Sequence, residues 1–239
     1  MPLLALRSID KSYGALRVIA DISLSVEEGE TLGILGPNGA GKTTLFNLIS
    51  GDVRCDAGSV HYDGRDITNL KPHQRCRQGI GRSYQVPQPF AHMTVFENLV
   101  TAASFGGGQH EHEAWDTAAR ILGQTGLLAQ ANKVAGALSL LDRKRLELAR
   151  ALATGPKLLL LDEIAGGLTE HEAAQLVAEL ERIKAAGVTM IWIEHVVHAL
   201  LAIADRLLVL NFGCKLAEGE PRTVMADAEV RRVYMGMEA

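Results

Sequence analysis

The sequence has 239 residues, 47% of them hydrophobic and 22% charged, a balance that supports a buried core and excludes a disordered chain. The formal net charge of −4 argues against a nucleic-acid partner, which draws a basic excess. The three cysteines, Cys55, Cys76 and Cys214, form no CxxC pair, which argues against a disulfide framework or zinc site and reads as free thiols in a reducing cytoplasm.

The amino terminus, Met1 to Arg7, has no basic region, long apolar stretch or small-residue cleavage site, so a signal peptide is not expected. No window approaches the ~20 apolar residues that cross a bilayer; the closest, Ala199 to Leu210, is broken by Asp205 and Arg206. Leu3 to Ile9 alternates as a strand does, and Ile22 to Val26 alternates before a turn at Glu27-Glu28-Gly29-Glu30. Thr31 to Leu35 is apolar without alternation, the pattern of a strand buried on both faces. Thr44 to Ser50 has helical spacing, with Leu45, Leu48 and Ile49 on one side. Gly58 to Gly64 reads as a strand ending in an Asp63-Gly64 turn. From Val95 to Ala153 the pattern is mostly helical, interrupted by Gly106-Gly107-Gly108. Leu158 to Leu161 is a second buried strand, Ala173 to Ala185 an amphipathic helix stopped at Gly187, Val188 to Ile193 a third strand and Leu207 to Leu210 a fourth. Strands alternating with helices predict an α/β fold with a largely parallel sheet.

Between the first buried strand and the first helix stands Gly36-Pro37-Asn38-Gly39-Ala40-Gly41-Lys42-Thr43, a full match to G-x-x-x-x-G-K-[ST]. Glycines let successive N–H groups turn inward as an anion-binding nest, and the helix dipole adds partial positive charge there. Lys42 supplies a full charge to the β- and γ-phosphates of a bound triphosphate, the Thr43 hydroxyl can bind Mg²⁺, and Thr44 extends the nucleotide-binding segment. The strand Leu158 to Leu161 delivers Asp162 and Glu163 at its carboxyl end, where open α/β sheets bind ligands. Asp162 is expected to hold Mg²⁺, directly or through water, and Glu163 to orient or deprotonate an attacking water. His195 follows the next strand; by position alone it is either an ordinary loop histidine or a donor beside a γ-phosphate. His195 and His198 lack a third ligand for a metal site, and His110-Glu111-His112-Glu113, with its i, i+2 spacing, reads as a solvated loop or helix start.

These motifs in this order resemble the ATP-binding cassette of ABC transporters over nearly the whole chain. The resemblance implies a P-loop cassette fold: a mostly parallel central sheet, a small antiparallel β subdomain and a helical insert. It implies one domain over 1–239, with a nucleotide-binding core at 1–85 and 151–239 and a helical subdomain at 86–150. It further implies that Tyr13, in Lys11-Ser12-Tyr13-Gly14, stacks on adenine. Gln85, in Arg82-Ser83-Tyr84-Gln85, would touch Mg²⁺ and link the site to a membrane partner, and His195 would be the switch histidine. ATP and Mg²⁺ are the implied ligands, and Glu163 and His195 the implied catalytic pair. Gly79 through Phe90, Met93 through Leu99, and the tail from Gly219-Glu220-Pro221 to Val233-Tyr234-Met235-Gly236 are similar to ATPase subunits of branched-chain amino acid importers, a subfamily that also serves amides, urea and aromatic acids. The implied partners are transmembrane permease subunits, a second ATPase subunit in a homo- or heterodimer and, indirectly, a periplasmic solute-binding protein; Gln88-Pro89-Phe90-Ala91, read as an exposed apolar patch, is the expected contact with the permease. The implied place is the cytoplasmic face of the inner membrane.

Three departures stand out. The signature Leu-Ser-Gly-Gly-Gln is replaced by Leu138-Ser139-Leu140-Leu141-Asp142. Ser139 remains, and at the head of a helix its hydroxyl and backbone can meet a γ-phosphate. Without the glycines a close backbone approach is harder, and Asp142 either repels an anion or supports the helix start through its dipole. Thr169 stands where the family commonly has aspartate, and Ile164 where proline follows the catalytic glutamate. In the family two cassettes pair head to tail, so the altered signature bears on the partner's site. The alternatives are an ATP-holding subunit with little hydrolysis of its own and a non-transport ABC ATPase.

Overall fold

Apolar alternation over residues 4–26 builds two long antiparallel strands, β1 (Leu4–Tyr13) and β2 (Leu16–Val26), which run further than the sequence periodicity suggests because Tyr13 and Leu16 still pair across the Gly14 turn. The computed structural model describes residues 1–235; Gly236, the last residue of the tail motif, and the expected domain end at 239 lie outside them. The described residues form two compact units, residues 1–72 with 189–235, and residues 73–188. The helical stretch expected at 86–150 belongs wholly to the second.

In the first unit, β1 and β2 are followed by β3 (Thr31–Leu35), α1 (Lys42–Ser50), β4 (Ala57–Tyr62) and β5 (Arg65–Asp66). β4 pairs with β1 and β5, giving an antiparallel sheet ordered β2-β1-β4-β5. The Asp63-Gly64 turn is the two-residue hairpin its sequence predicts: both residues have positive φ, +49° and +73°, and Tyr62 pairs with Arg65.

The second unit carries α2 (Pro72–Arg77) from His73 onward, then β6 (Ile80–Arg82), α3 (Val95–Thr101), a π-helical turn at 102–106, α4 (Glu111–Gln124), α5 (Leu140–Ala153), β7 (Leu158–Asp162) and α6 (Glu170–Ala185). β6 and β7 are parallel, Ile80 pairing with Leu158 and Arg82 with Leu160. Leu158, Leu159, Leu160 and Leu161 are all fully buried, as the unbroken leucine run predicts. The long helical stretch is cut into separate helices by built-in stops. Thr94, Ser139 and Thr169 each cap a new helix by accepting from the backbone N–H three residues on. His110-Glu111-His112-Glu113 opens α4, with the Glu113 carboxylate accepting from the His110 N–H at 3.2 Å.

The chain returns to the first unit with β8 (Thr189–Ile193), α7 (Val197–Ile203), β9 (Arg206–Asn211), β10 (Cys214–Gly219), α8 (Pro221–Ala226) and α9 (Ala228–Met235). Strand β3 lies between β8 and β9, parallel to both, and β10 folds back antiparallel on β9. The architecture is the α/β arrangement expected: parallel pairing at the phosphate loop's strand, a small antiparallel sheet and a helical segment. Among the described residues no helix is long and apolar enough to cross a membrane.

Candidate functional site

The first unit builds a glycine-lined loop where β3 gives way to α1. Gly36, Gly39 and Gly41 have φ of +154°, +81° and +100°, conformations open to glycine. A Cβ at Gly36 would lie 2.4 Å from the Leu210 carbonyl oxygen, and one at Gly41 2.7 Å from that of Val18, so these two positions also need the missing side chain for space. Lys42 is 6% exposed, and its ammonium donates to the carbonyls of Gly36 at 2.6 Å and Pro37 at 3.0 Å, which holds the charge at the centre of the loop. Helix α1 starts at Lys42 with no side-chain cap, and its first-turn N–H groups, those of Thr43 and Thr44 among them, have no intrahelical acceptors by geometry. The Thr43 side chain is exposed and that of Thr44 half-buried.

Two hairpins brace this loop. The β9–β10 turn sends the Gly213 N–H to the Ala40 carbonyl at 3.1 Å, and the Ala20 N–H of β2 donates to the Gly213 carbonyl at 2.9 Å. The other is the β1–β2 hairpin, whose Val18 reaches Gly41 and whose tip carries Tyr13, 49% exposed. Lys11 lies 5.5 Å from the Tyr13 ring centre and donates to Asp56 at 2.7 Å. That bond and one from the Ser12 N–H hold the Asp56 carboxyl below its usual range and pin the segment before Tyr13. His195, exposed, follows β8 in the same unit. The buried Glu194 carboxylate accepts from the N–H groups of His195 at 2.9 Å and Val196 at 3.3 Å, fixing the loop that presents the imidazole.

The second unit brings Gln85 and Glu163 together: the Gln85 amide donates to the Glu163 carboxylate. Glu163 directly follows β7 and has φ +47°, a strained setting for a non-glycine residue. Asp162 is 4% exposed, and Arg82 at the end of β6 points a guanidinium nitrogen to within 3.5 Å of its carboxylate. Ser83 continues the β6–β7 pairing by donating to the Leu160 carbonyl at 2.9 Å, and from there the chain runs to Gln85.

Ser139 is exposed at the head of α5, as expected, and its hydroxyl oxygen accepts from the Asp142 N–H at 3.2 Å. Asp142 sits in the first helical turn, 3.8 Å from Arg145, which also binds the Glu179 carboxylate at 2.6 Å. The acidic residue therefore supports the helix start and shares a guanidinium with Glu179. Of the two leucines that replace the signature glycines, Leu141 is buried, while Leu140 is 49% exposed and lies close to Gly167.

Sequence reading missed the charged face of α5. Lys144 and Glu147 are 5% and 4% exposed at positions where helical periodicity calls for apolar residues. Glu147 accepts from the Gln88 N–H at 3.3 Å, and Arg150 donates to the Gln88 carbonyl at 2.7 Å and lies 5.1 Å from the Phe90 ring centre. Burial pushes the Glu147 carboxyl up, against the pull of Arg150. Together they fasten the loop that continues from Gln85 to Phe90. Tyr84, Val86 and Phe90 on this loop are exposed. A charged residue on an otherwise apolar helical stripe was the available signal.

In the second unit the Gln85 amide oxygen and the Asp162 carboxylate are oxygen donors of the hard kind Mg²⁺ takes, and Asp162 is buried.

The model of the ABC transporter family matches residues 19–166. The chain is 34% identical to the high-affinity branched-chain amino acid transport ATP-binding protein BraF of Pseudomonas aeruginosa, over 98% of each chain. It is likewise 34% identical to the lipopolysaccharide export system ATP-binding protein LptB of Escherichia coli K12, over 99% of this chain and 98% of that one. The crystal structure of the ADP conformation of an ATP-binding cassette of an ABC transporter superposes with a TM-score of 0.88 at 33% identity, covering 99% of this chain and 100% of the other.

Proposed function

The chain belongs to the ABC transporter family of ATP-binding cassettes, and we propose that it is the ATP-hydrolysing subunit that powers an importer of branched-chain amino acids or related small polar solutes. The observation that carries hydrolysis is the Glu163 carboxylate at the end of β7, held by Gln85. In this reading the nest at 36–41, Lys42 and the first turn of α1 bind the phosphates, and Tyr13 stacks on adenine. Glu163 takes the proton of the attacking water, and His195 donates a hydrogen bond to the γ-phosphate. Thr43, Gln85 and Asp162 are the residues proposed to supply oxygen donors to Mg²⁺, which would neutralise phosphate charge. Ser139 acts on the site of a second cassette.

The importer reading rests on residues 79–99 and the relative BraF; the relative LptB, named for export, makes direction the point to test. The Gln85–Phe90 loop, fastened by Glu147 and Arg150, is the proposed contact with permease subunits at the cytoplasmic face of the membrane, and a periplasmic solute-binding protein joins through them. Labelled leucine, an amide and an aromatic acid are offered to cells carrying the wild type or Lys42→Ala. Loss of uptake of one of them in the variant supports the importer; unchanged uptake of all contradicts it.

A second reading, an ATP-holding subunit with little turnover, is favoured by Leu140, which puts an exposed side chain where the family signature has glycine. ATP turnover by the purified chain, alone and mixed with a candidate second cassette, separates the two.

A further inference from the structure

The backbone carbonyl of Glu163 accepts two hydrogen bonds. Lys144, on α5, donates to this oxygen at 3.1 Å, and the Gly166 N–H donates to it at 3.2 Å. The Gly166 bond belongs to the local turn. The lysine comes from a different element, nineteen residues earlier in the chain, and its side chain is almost wholly buried.

A buried ammonium carries a desolvation cost that an apolar residue on the same face, beside Leu141 and Leu148, would avoid. The acceptor it reaches belongs to a residue whose φ of +47° is disfavoured for any side chain with a Cβ. That backbone twist sets the direction in which the Glu163 side chain leaves the chain, toward Gln85. A charge-assisted hydrogen bond to the carbonyl opposes rotation of the peptide unit back to a relaxed conformation.

We infer that Lys144 is a positioning residue: it holds the Glu163 peptide in its left-handed conformation and thereby aims the carboxylate. It touches neither substrate nor metal in this account. The inference rests on the reading of Glu163 as the general base. Because α5 is capped by Ser139, the same contact ties the signature helix to the base of its own chain.

The test is ATP turnover of the full-length protein for wild type, Lys144→Met, Lys144→Arg, Glu163→Gln and the Lys144→Met/Glu163→Gln double variant, with nucleotide binding measured in parallel. Lys144→Met is expected to lower kcat by about 10- to 100-fold, the scale of a misplaced reacting group, with KM and nucleotide affinity within about two-fold of wild type. Lys144→Arg, which keeps a cationic donor, restores most of the rate. In the double variant the methionine adds no further loss, because a base that is absent cannot be misaimed. Unchanged kcat in Lys144→Met beside a collapsed Glu163→Gln overturns the inference and leaves the base reading intact. Losses that multiply in the double variant also overturn it. Unchanged kcat in Glu163→Gln sinks the base reading itself. Should Lys144→Met fail to fold, Lys144→Gln, with a shorter neutral donor, is read instead; an intermediate kcat at unchanged KM supports the inference, and a wild-type kcat overturns it.

Discussion

The Gln85 amide donates to the carboxylate of Glu163, joining a loop that continues into exposed aromatic side chains to the acid at the end of β7. In the proposed transport role this bond is the physical link: displacing residues 84–90 would move a hydrogen-bond donor on the proposed base. Gln85→Ala is expected to lower kcat by about ten-fold while nucleotide affinity without Mg²⁺ stays level. Steady-state ATPase assays with parallel binding titrations read both, and an unaltered kcat contradicts the coupling.

Lys42 has its ammonium at the centre of the loop. Lys42→Ala removes a full positive charge placed there, and a charge-assisted contact to phosphate is worth about 1.5–3 kcal/mol, or roughly 10- to 100-fold in affinity. Titration with a fluorescent ATP analogue measures it. Wild-type affinity in the variant would contradict the placement of the phosphates.

Gly213 lies outside every nucleotide motif yet braces the loop through Ala40. A Cβ there would lie 2.4 Å from the Val18 carbonyl oxygen, at φ +75°. Gly213→Ala should cost about 1–3 kcal/mol of stability and weaken nucleotide binding together with it. Chemical denaturation and the same titration check this pair; a stable variant with intact binding would contradict the brace.

The Glu172 carboxylate accepts from the Thr169 N–H at 2.9 Å and from its hydroxyl at 2.8 Å, completing a capping box on α6. The backbone bond, and then the hydroxyl, lower its pKa from 4.5. A depressed carboxylate contributes stability that is present above the unfolded value and lost as pH falls through the folded one. The melting temperature of Glu172→Gln should therefore lie below wild type at neutral pH, and the gap should close on acidification below 4.5. A gap that persists at low pH would contradict the assignment.

The legibility of the fold followed the strength of local signals. The two buried strands, the phosphate loop and the Asp63-Gly64 hairpin were readable because an unbroken apolar run, a glycine pattern and a dipeptide each have few structural solutions. The β9–β10 hairpin uses the same kind of turn, with φ of +46° and +75°, but its first residue is Phe212, which disfavours that conformation and hid the turn. Strand β6 is three residues long, too short for periodicity to register. At the site, the residues proposed to offer side chains to a ligand sit in motifs and carry a sequence signal. Of those that hold them, Lys144, Glu147 and Arg150 act through contacts with other segments and showed in the sequence only as charges on an apolar stripe, while Glu194 acts on the two N–H groups that follow it.

Glu163→Gln is the sharpest probe of hydrolysis by this chain, because it removes the basic oxygen while keeping size and most hydrogen bonding. Turnover and ATP binding are measured on the same preparation of full-length protein at concentrations that drive pairing. The kcat is expected to fall by ~10²–10⁴, about 3–5 kcal/mol, with ATP affinity retained. A kcat equal to wild type would contradict the base role of Glu163.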